Sequence, residues 1–156
     1  MKKSVTKAPT EAPTPEEEPA PPEPEVPTYG QGKFVYRDQS TYSGGWKQLG
    51  GRKLKHGVGQ ATYAGIAGQG QESYNGEWQD DKMHGFGTYV FTSGASYTGQ
   101  WKDGMMHGHG KMLNADGTSY EGDWCKNLMH GEGSYVDNDE VKWDGIFIDG
   151  SYESKI

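Results

Sequence analysis

YTGQWKDGMMHGHGKMLNADGTS, residues 97–119, is written into this chain several times over with small variations. Tyr74, Tyr97, Tyr120 and Trp143 follow one another at 23-residue steps, as do Trp78, Trp101, Trp124 and Phe147. Gly76, Gly99, Gly122 and Gly145 keep the same step, and His84-Gly85, His107-Gly108 and His130-Gly131 mark the second half of three units. A fixed period of this kind identifies a repeat architecture. Within a unit, Tyr97, Gly99 and Trp101 alternate with Thr98, Gln100 and Lys102, which is the period of an extended strand. Asp103-Gly104 then supplies a tight turn, a return strand runs from about His107 to Leu113, and Asp116-Gly117 leads into the next unit. Each unit is expected to be one β-hairpin. Gly108 and Gly110 on the return strand read as space for aromatic rings of neighbouring strands, as do Gly85 with Gly87 and Gly131 with Gly133.

Outside the regular units the pattern changes at both ends. Gly30-Gln31-Gly32 followed by Phe34 and Tyr36 reads as the return strand of a unit whose first strand is missing. The unit from Tyr42 carries ten residues from Trp46 to His56 where the others carry six, and a second insertion separates Gly59 from Tyr74. QLGGRKLK and AGIAGQGQE are therefore expected to be added loops. From Trp143 the opening strand persists but no His-Gly follows, as suits a terminal unit that caps a stack. All eight prolines fall within residues 1–27, where EAPTPEEEPAPPEPEVP has no hydrophobic period. That stretch reads as a disordered, acidic, polyproline-like tail.

The domain plan is thus a tail over residues 1–28 and a repeat array over 29–156. The array comprises a partial cap over 29–41, units starting at 42, 74, 97 and 120, and a truncated unit from 143. The expected fold class is all-β: an elongated, single-layer, twisted antiparallel sheet of tandem 23-residue hairpins. With 31% hydrophobic residues and 25 glycines the chain cannot fill a thick two-layer core, so stability has to come from stacking neighbouring units.

Tyr-x-Gly-x-Trp followed by His-Gly-x-Gly at constant spacing resembles the MORN (membrane occupation and recognition nexus) repeat, over roughly residues 30–147. The resemblance implies a non-enzymatic scaffold or adaptor that holds partner segments. It points to a cytoplasmic, cytoskeletal assembly, the axoneme of a cilium or flagellum above all. The residues offer two sites. Tyr74, Trp78, Tyr97, Trp101, Tyr120, Trp124, Trp143 and Phe147 line one face, where they pack on strand glycines or stand uncovered on a concave groove for a partner helix or extended segment. Arg52, Lys53 and Lys55, in the first inserted loop, are contacts for a phosphoinositide head group in the alternative reading of a membrane-associated adaptor.

Charge separates along the chain, with a net +5 over residues 29–56 and −9 over 57–156. Opposite-signed ends suit oriented docking in a larger assembly. The acidic whole argues against nucleic acid as a partner, and pairing of two copies through sheet edges stays open. No cofactor, metal or catalytic residue is expected. Equivalent histidines of stacked hairpins lie two strands apart, roughly 9 to 10 Å, and no cysteine or carboxylate cluster completes a zinc set. The glycine pairs precede no helix that could cradle phosphate. No arrangement of Ser, Cys, His and acid suggests an activated nucleophile. One cysteine, Cys125, fits a reducing compartment, and no run approaches the length of a membrane span. The expectation is a soluble, intracellular protein.

Overall fold

Asp103 and Gly104 both adopt positive φ, 53° and 82°, the conformation that a two-residue hairpin turn needs to match the twist of its strands. The same turn recurs at Asp80-Asp81, Lys126-Asn127 and Asp149-Gly150, all at positive φ, and it folds each unit onto itself. A computed structural model describes residues 25–65 and 70–153; the disorder expected of the tail lies outside the described residues up to position 24. The strands are β1 (Thr28–Val35), β2 (Thr41–Leu49), β3 (Arg52–Thr62), β4 (Ser73–Gln79), β5 (Lys82–Val90), β6 (Ser96–Lys102), β7 (Met105–Leu113), β8 (Ser119–Cys125), β9 (Leu128–Val136), β10 (Lys142–Ile148) and β11 (Ser151–Glu153). They form one 11-stranded sheet in strict sequence order, antiparallel throughout. Among the described residues there is no helix.

The β2–β3, β4–β5, β6–β7 and β8–β9 hairpins each carry a bulge on the return strand. Between Gly76↔Gly87 and Glu77↔His84 the first strand advances one residue while the return strand advances three, and the same shift separates Gly122↔Gly133 from Asp123↔His130. Such an irregularity bends the strand and frees a backbone amide. Gly85, Gly108 and Gly131 sit in the bulges with φ of 57°, 60° and 62°, a region that a side chain rarely tolerates. These glycines therefore do not make room for rings, which corrects the expectation for Gly108. Over Gly108 lies the side chain of Gln100. The ring sits instead over the second glycine: a Cβ on Gly110 would strike the Tyr97 ring, as one on Gly87 would strike Tyr74 and one on Gly133 would strike Tyr120.

The first insertion is also corrected. It is no loop: Trp46↔Lys55, Lys47↔Leu54, Gln48↔Lys53 and Leu49↔Arg52 pair up to a turn at Gly50-Gly51, so the added residues lengthen the β2–β3 hairpin. The described residues of the second insertion, 64–65 and 70–72, lie outside the strands, and its base closes where the Tyr63 amide donates to the Glu72 carbonyl at 2.9 Å.

Candidate functional site: an aromatic face with a basic end

The alternation places every Tyr and Trp of a first strand on the same face, and the geometry then assigns them different tasks. The Tyr97 hydroxyl donates to the Gln100 carbonyl at 3.0 Å, as Tyr74 does to Glu77 and Tyr120 to Asp123. That bond ties the ring down across the bulge of its own hairpin. The indole N–H of Trp101 donates to the Gly87 carbonyl at 3.1 Å, Trp78 to Gly59 and Trp124 to Gly110, both at 3.0 Å. Each tryptophan therefore bonds to the unit before it, satisfying its polar edge while its ring stays dry. Tyrosine closes a unit and tryptophan joins it to its neighbour.

The rings meet edge to face in an unbroken zigzag. Tyr42–Trp78, Trp78–Tyr74, Tyr74–Trp101, Trp101–Tyr97, Tyr97–Trp124, Trp124–Tyr120 and Tyr120–Phe147 have centroids 4.8 to 5.5 Å apart and interplanar angles of 77° to 89°. This is the arrangement the aromatic quadrupole favours. Burial in the ladder pushes the Tyr42 and Tyr120 phenols up to about 12, and those of Tyr74 and Tyr97 higher still.

The ladder leaves little of these rings to a partner. Tyr74, Trp78, Tyr97, Trp101, Tyr120, Trp124 and Phe147 are 0 to 6% exposed, which corrects the expectation that they stand uncovered. Trp143 differs, at 45% exposed. Its indole N–H donates to Asp137 at 3.0 Å, which holds that carboxyl below its ordinary value. Tyr152 instead lies over Gly145. Tyr135, Asp137, Trp143, Phe147 and Tyr152 line an open, mostly apolar cleft of about 350 Å³ at this end of the face.

What the face does offer along its length are two half-covered rows flanking the ladder. Met83, Met106 and Met129 form one, opposite Trp78, Trp101 and Trp124 in the register. Tyr89, Met112 and Tyr135 form the other, opposite Tyr74, Tyr97 and Tyr120. Apart from the buried Met106, these side chains are partly buried and pack on the ladder. Both rows repeat at 23 residues, a signal present in the sequence but masked by the stronger glycine and aromatic anchors. A second missed group is the residue before each tryptophan: Glu77 and Gln100 turn to the opposite face and accept the bulge amides of Phe86 and His109, each at 2.9 Å.

At the N-terminal end, Lys55 occupies the methionine slot and reaches over Trp78, Tyr36 and Tyr42 at 5.2, 5.4 and 5.8 Å. Lys53 stands 4.1 Å over the Trp46 ring. Arg52 pairs with Asp81 at 3.2 Å, and Lys47 with Asp80 at 3.0 Å, a bond that leads in holding the Asp80 carboxyl low. The Asp81 carboxylate also accepts the Lys55 amide at 2.7 Å. Arg52, Lys53 and Lys55 are thus strand residues, not a free loop; Lys53 and Lys55 stand over the rings, and Arg52 is engaged within the chain. Among the described residues no group of three or more His, Cys, Asp or Glu is placed to hold a metal ion.

The family model of the MORN repeat matches residues 74–96, 97–119 and 120–140 in succession. No curated protein matches the chain in sequence. The matched segments coincide with the three hairpins in which ladder, bulge and methionine row are complete.

Proposed function

The chain is a MORN-repeat protein, and from that premise we propose that it is a scaffold that holds a helical or extended segment of a partner along its aromatic face. MORN repeats form a non-enzymatic module for protein or membrane interaction. The observation that carries the proposal is the half-covered row Tyr89-Met112-Tyr135, with Met83 and Met129 half-covered beside it and Met106 buried between them. Methionines adapt to irregular surfaces and tyrosines anchor them, a composition that suits recognition. The rows repeat every two strands, roughly 9.4 to 9.8 Å. A helix advances about 10.5 Å in seven residues, and a polyproline-type extended chain covers about 9.3 Å in three, returning every third side chain to the same side. A partner running across the strands therefore presents one apolar residue per heptad, or every third residue if extended.

Family resemblance alone supports the setting, a cytoplasmic cytoskeletal assembly such as the ciliary or flagellar axoneme. The test is affinity purification from ciliated cells with the full chain, a Tyr89→Ser plus Met112→Ser variant and a Thr88→Ala plus Lys111→Ala variant. Thr88 and Lys111 lie on the opposite face, where Thr88 meets Thr98 at 2.9 Å and Lys111 meets Glu121 at 3.0 Å. Loss of axonemal proteins with the first variant and retention with the second is expected. Equal recovery from all three contradicts the proposal.

A second reading, phosphoinositide recognition at the basic end, is favoured by one observation. Lys53 and Lys55 meet rings but no carboxylate among the described residues. Flotation with phosphoinositide vesicles that is abolished by Lys53→Glu plus Lys55→Glu would support it.

A further inference from the structure

Phe34, Tyr36, Tyr42, Trp46, Lys53, Leu54 and Lys55 enclose a shallow depression of about 90 Å³ at the N-terminal end of the aromatic face. It is far smaller than the several hundred Å³ of a typical cofactor site, and on the scale of a single proline ring. Its walls are aromatic rings, and its two ammonium groups have no carboxylate partner among the described residues. Aromatic walls accept the preformed polyproline helix, whose rings dock with little entropy cost; lysines select for acids beside those prolines. The ligand chemistry written into the groove is an acidic, proline-rich segment.

The chain carries such a segment, and the described residue that follows it, Glu25, lies at the tip of the hairpin that bears Lys53. Residues 11–24, EAPTPEEEPAPPEP, combine prolines with Glu11, Glu16, Glu17, Glu18 and Glu23. The chain leaves β1 at Thr28, and the Glu25 carboxylate accepts the Gly50 amide at 2.7 Å, at the tip of the β2–β3 hairpin. Lys53 lies opposite Gln48, two residues from that tip. We propose that residues 11–24 of this chain dock intramolecularly in the Phe34–Tyr36–Trp46 groove, with their glutamates on Lys53 and Lys55, and so occupy the basic end until a competing ligand displaces them. Tethering raises the local concentration of the segment to the millimolar range, so a weak contact suffices. The proposal stands apart from partner binding along the methionine and tyrosine rows.

Zero-length carbodiimide cross-linking of the full chain, read by mass spectrometry, tests it, because amide bonds form only where a carboxylate touches an amine. Cross-links from Glu16, Glu17, Glu18 or Glu23 to Lys53 or Lys55 are expected at no less than about tenfold the yield to Lys102 or Lys126, given that effective concentration, and are expected to fall in high salt. A mixture of isotope-labelled and unlabelled chains identifies cross-links within one molecule; cross-links mainly between molecules overturn the proposal, as does a yield no higher than at Lys102 and Lys126. Pro19→Ser, Pro21→Ser, Pro22→Ser and Pro24→Ser together keep every carboxylate and the tether. The proposal expects this variant to lose most of the cross-link, and an unchanged yield overturns it by reducing the contact to diffuse charge attraction. Vesicles bearing phosphoinositide are expected to bind a Glu16→Gln, Glu17→Gln, Glu18→Gln, Glu23→Gln variant more tightly than the unaltered chain. If both bind, equal binding overturns the proposal; if neither binds, the phosphoinositide reading fails and the cross-links alone decide.

Discussion

The units from Tyr74, Tyr97 and Tyr120 and the unit from Tyr42 fill the same slots with different chemistry. In the regular units a methionine faces the tryptophan and an acidic or amide side chain precedes it, twice as cap of the bulge amide. In the first unit Lys55 faces Trp46, and Gly45 stands before the tryptophan with no side chain to act as cap. The regular units are joined by rings, indole hydrogen bonds and exposed ion pairs such as Lys82–Asp103 and Lys111–Glu121. The first is joined to the second by the same kind of indole bond and by a denser polar cluster, Lys47 and His56 on Asp80 and Arg52 on Asp81. Exposed ion pairs of this kind contribute little and are screened by salt, whereas a buried ring contributes several-fold more. The difference assigns stability to the regular stack and adaptability to the basic end.

The strongest way to break that contrast is alkali. A tyrosine whose folded value is raised contributes stability that is fully present below its ordinary value near 10.0 and is lost as pH rises through the folded value. The ladder is therefore expected to unfold cooperatively from pH 10 toward about 12, with tyrosinate absorbance and loss of far-ultraviolet circular dichroism rising together. Ionisation of Tyr42, Tyr74, Tyr97 or Tyr120 well before any loss of structure would contradict their burial.

Truncation compares the two regions directly. Trp101→Ala removes edge contacts to Tyr74 and Tyr97 and the bond to Gly87, and is expected to cost about 3 to 5 kcal/mol in urea unfolding. Trp46→Ala, on a half-buried ring, is expected to cost less than half as much. Similar costs would erase the distinction.

Glycine substitutions separate the two backbone roles next. Gly110→Ala forces a methyl into the Tyr97 ring and is expected to lower stability by about 2 to 3 kcal/mol. Gly108→Ala meets mainly its φ of 60° and a flexible Gln100, for about 1 kcal/mol. A reversed order in thermal melts would restore the ring to Gly108. Smallest of all, Arg52→Gln at a largely exposed pair is expected to cost at most about 0.5 kcal/mol, and nothing in high salt.

Period and alternation made the hairpins legible, because Tyr97, Gly99 and Trp101 repeat with a spacing that tolerates no helix, and Asp103-Gly104 names its own turn. The bulge was not legible. Gly108 and Gly110 look alike in sequence, and only the register shift reveals that one bends the backbone while the other underlies a ring. Nor did alternation say how deeply a ring is buried: a single-layer sheet suggests exposed aromatics, but Tyr97 lies flat on its own hairpin and Trp124 covers its flank. The charge split looked like a surface for others, whereas Arg52 and Lys47 turn part of it inward on Asp81 and Asp80. Even the first insertion was misread, since two glycines at positive φ make a tight turn as readily as a loop.

The rings of Tyr42, Tyr74, Tyr97, Tyr120, Trp78, Trp101, Trp124 and Phe147 hold the array together, while Trp143, Met83 and Met129 remain partly open to solvent. Hydroxyl-radical footprinting of the free chain tests this division most directly, residue by residue, under native and denaturing conditions. Trp143, Met83 and Met129 are expected to be modified in the native chain, while Trp78, Trp101 and Trp124 stay protected until it unfolds. Native modification of Trp78, Trp101 and Trp124 at the rate of Trp143 would contradict it.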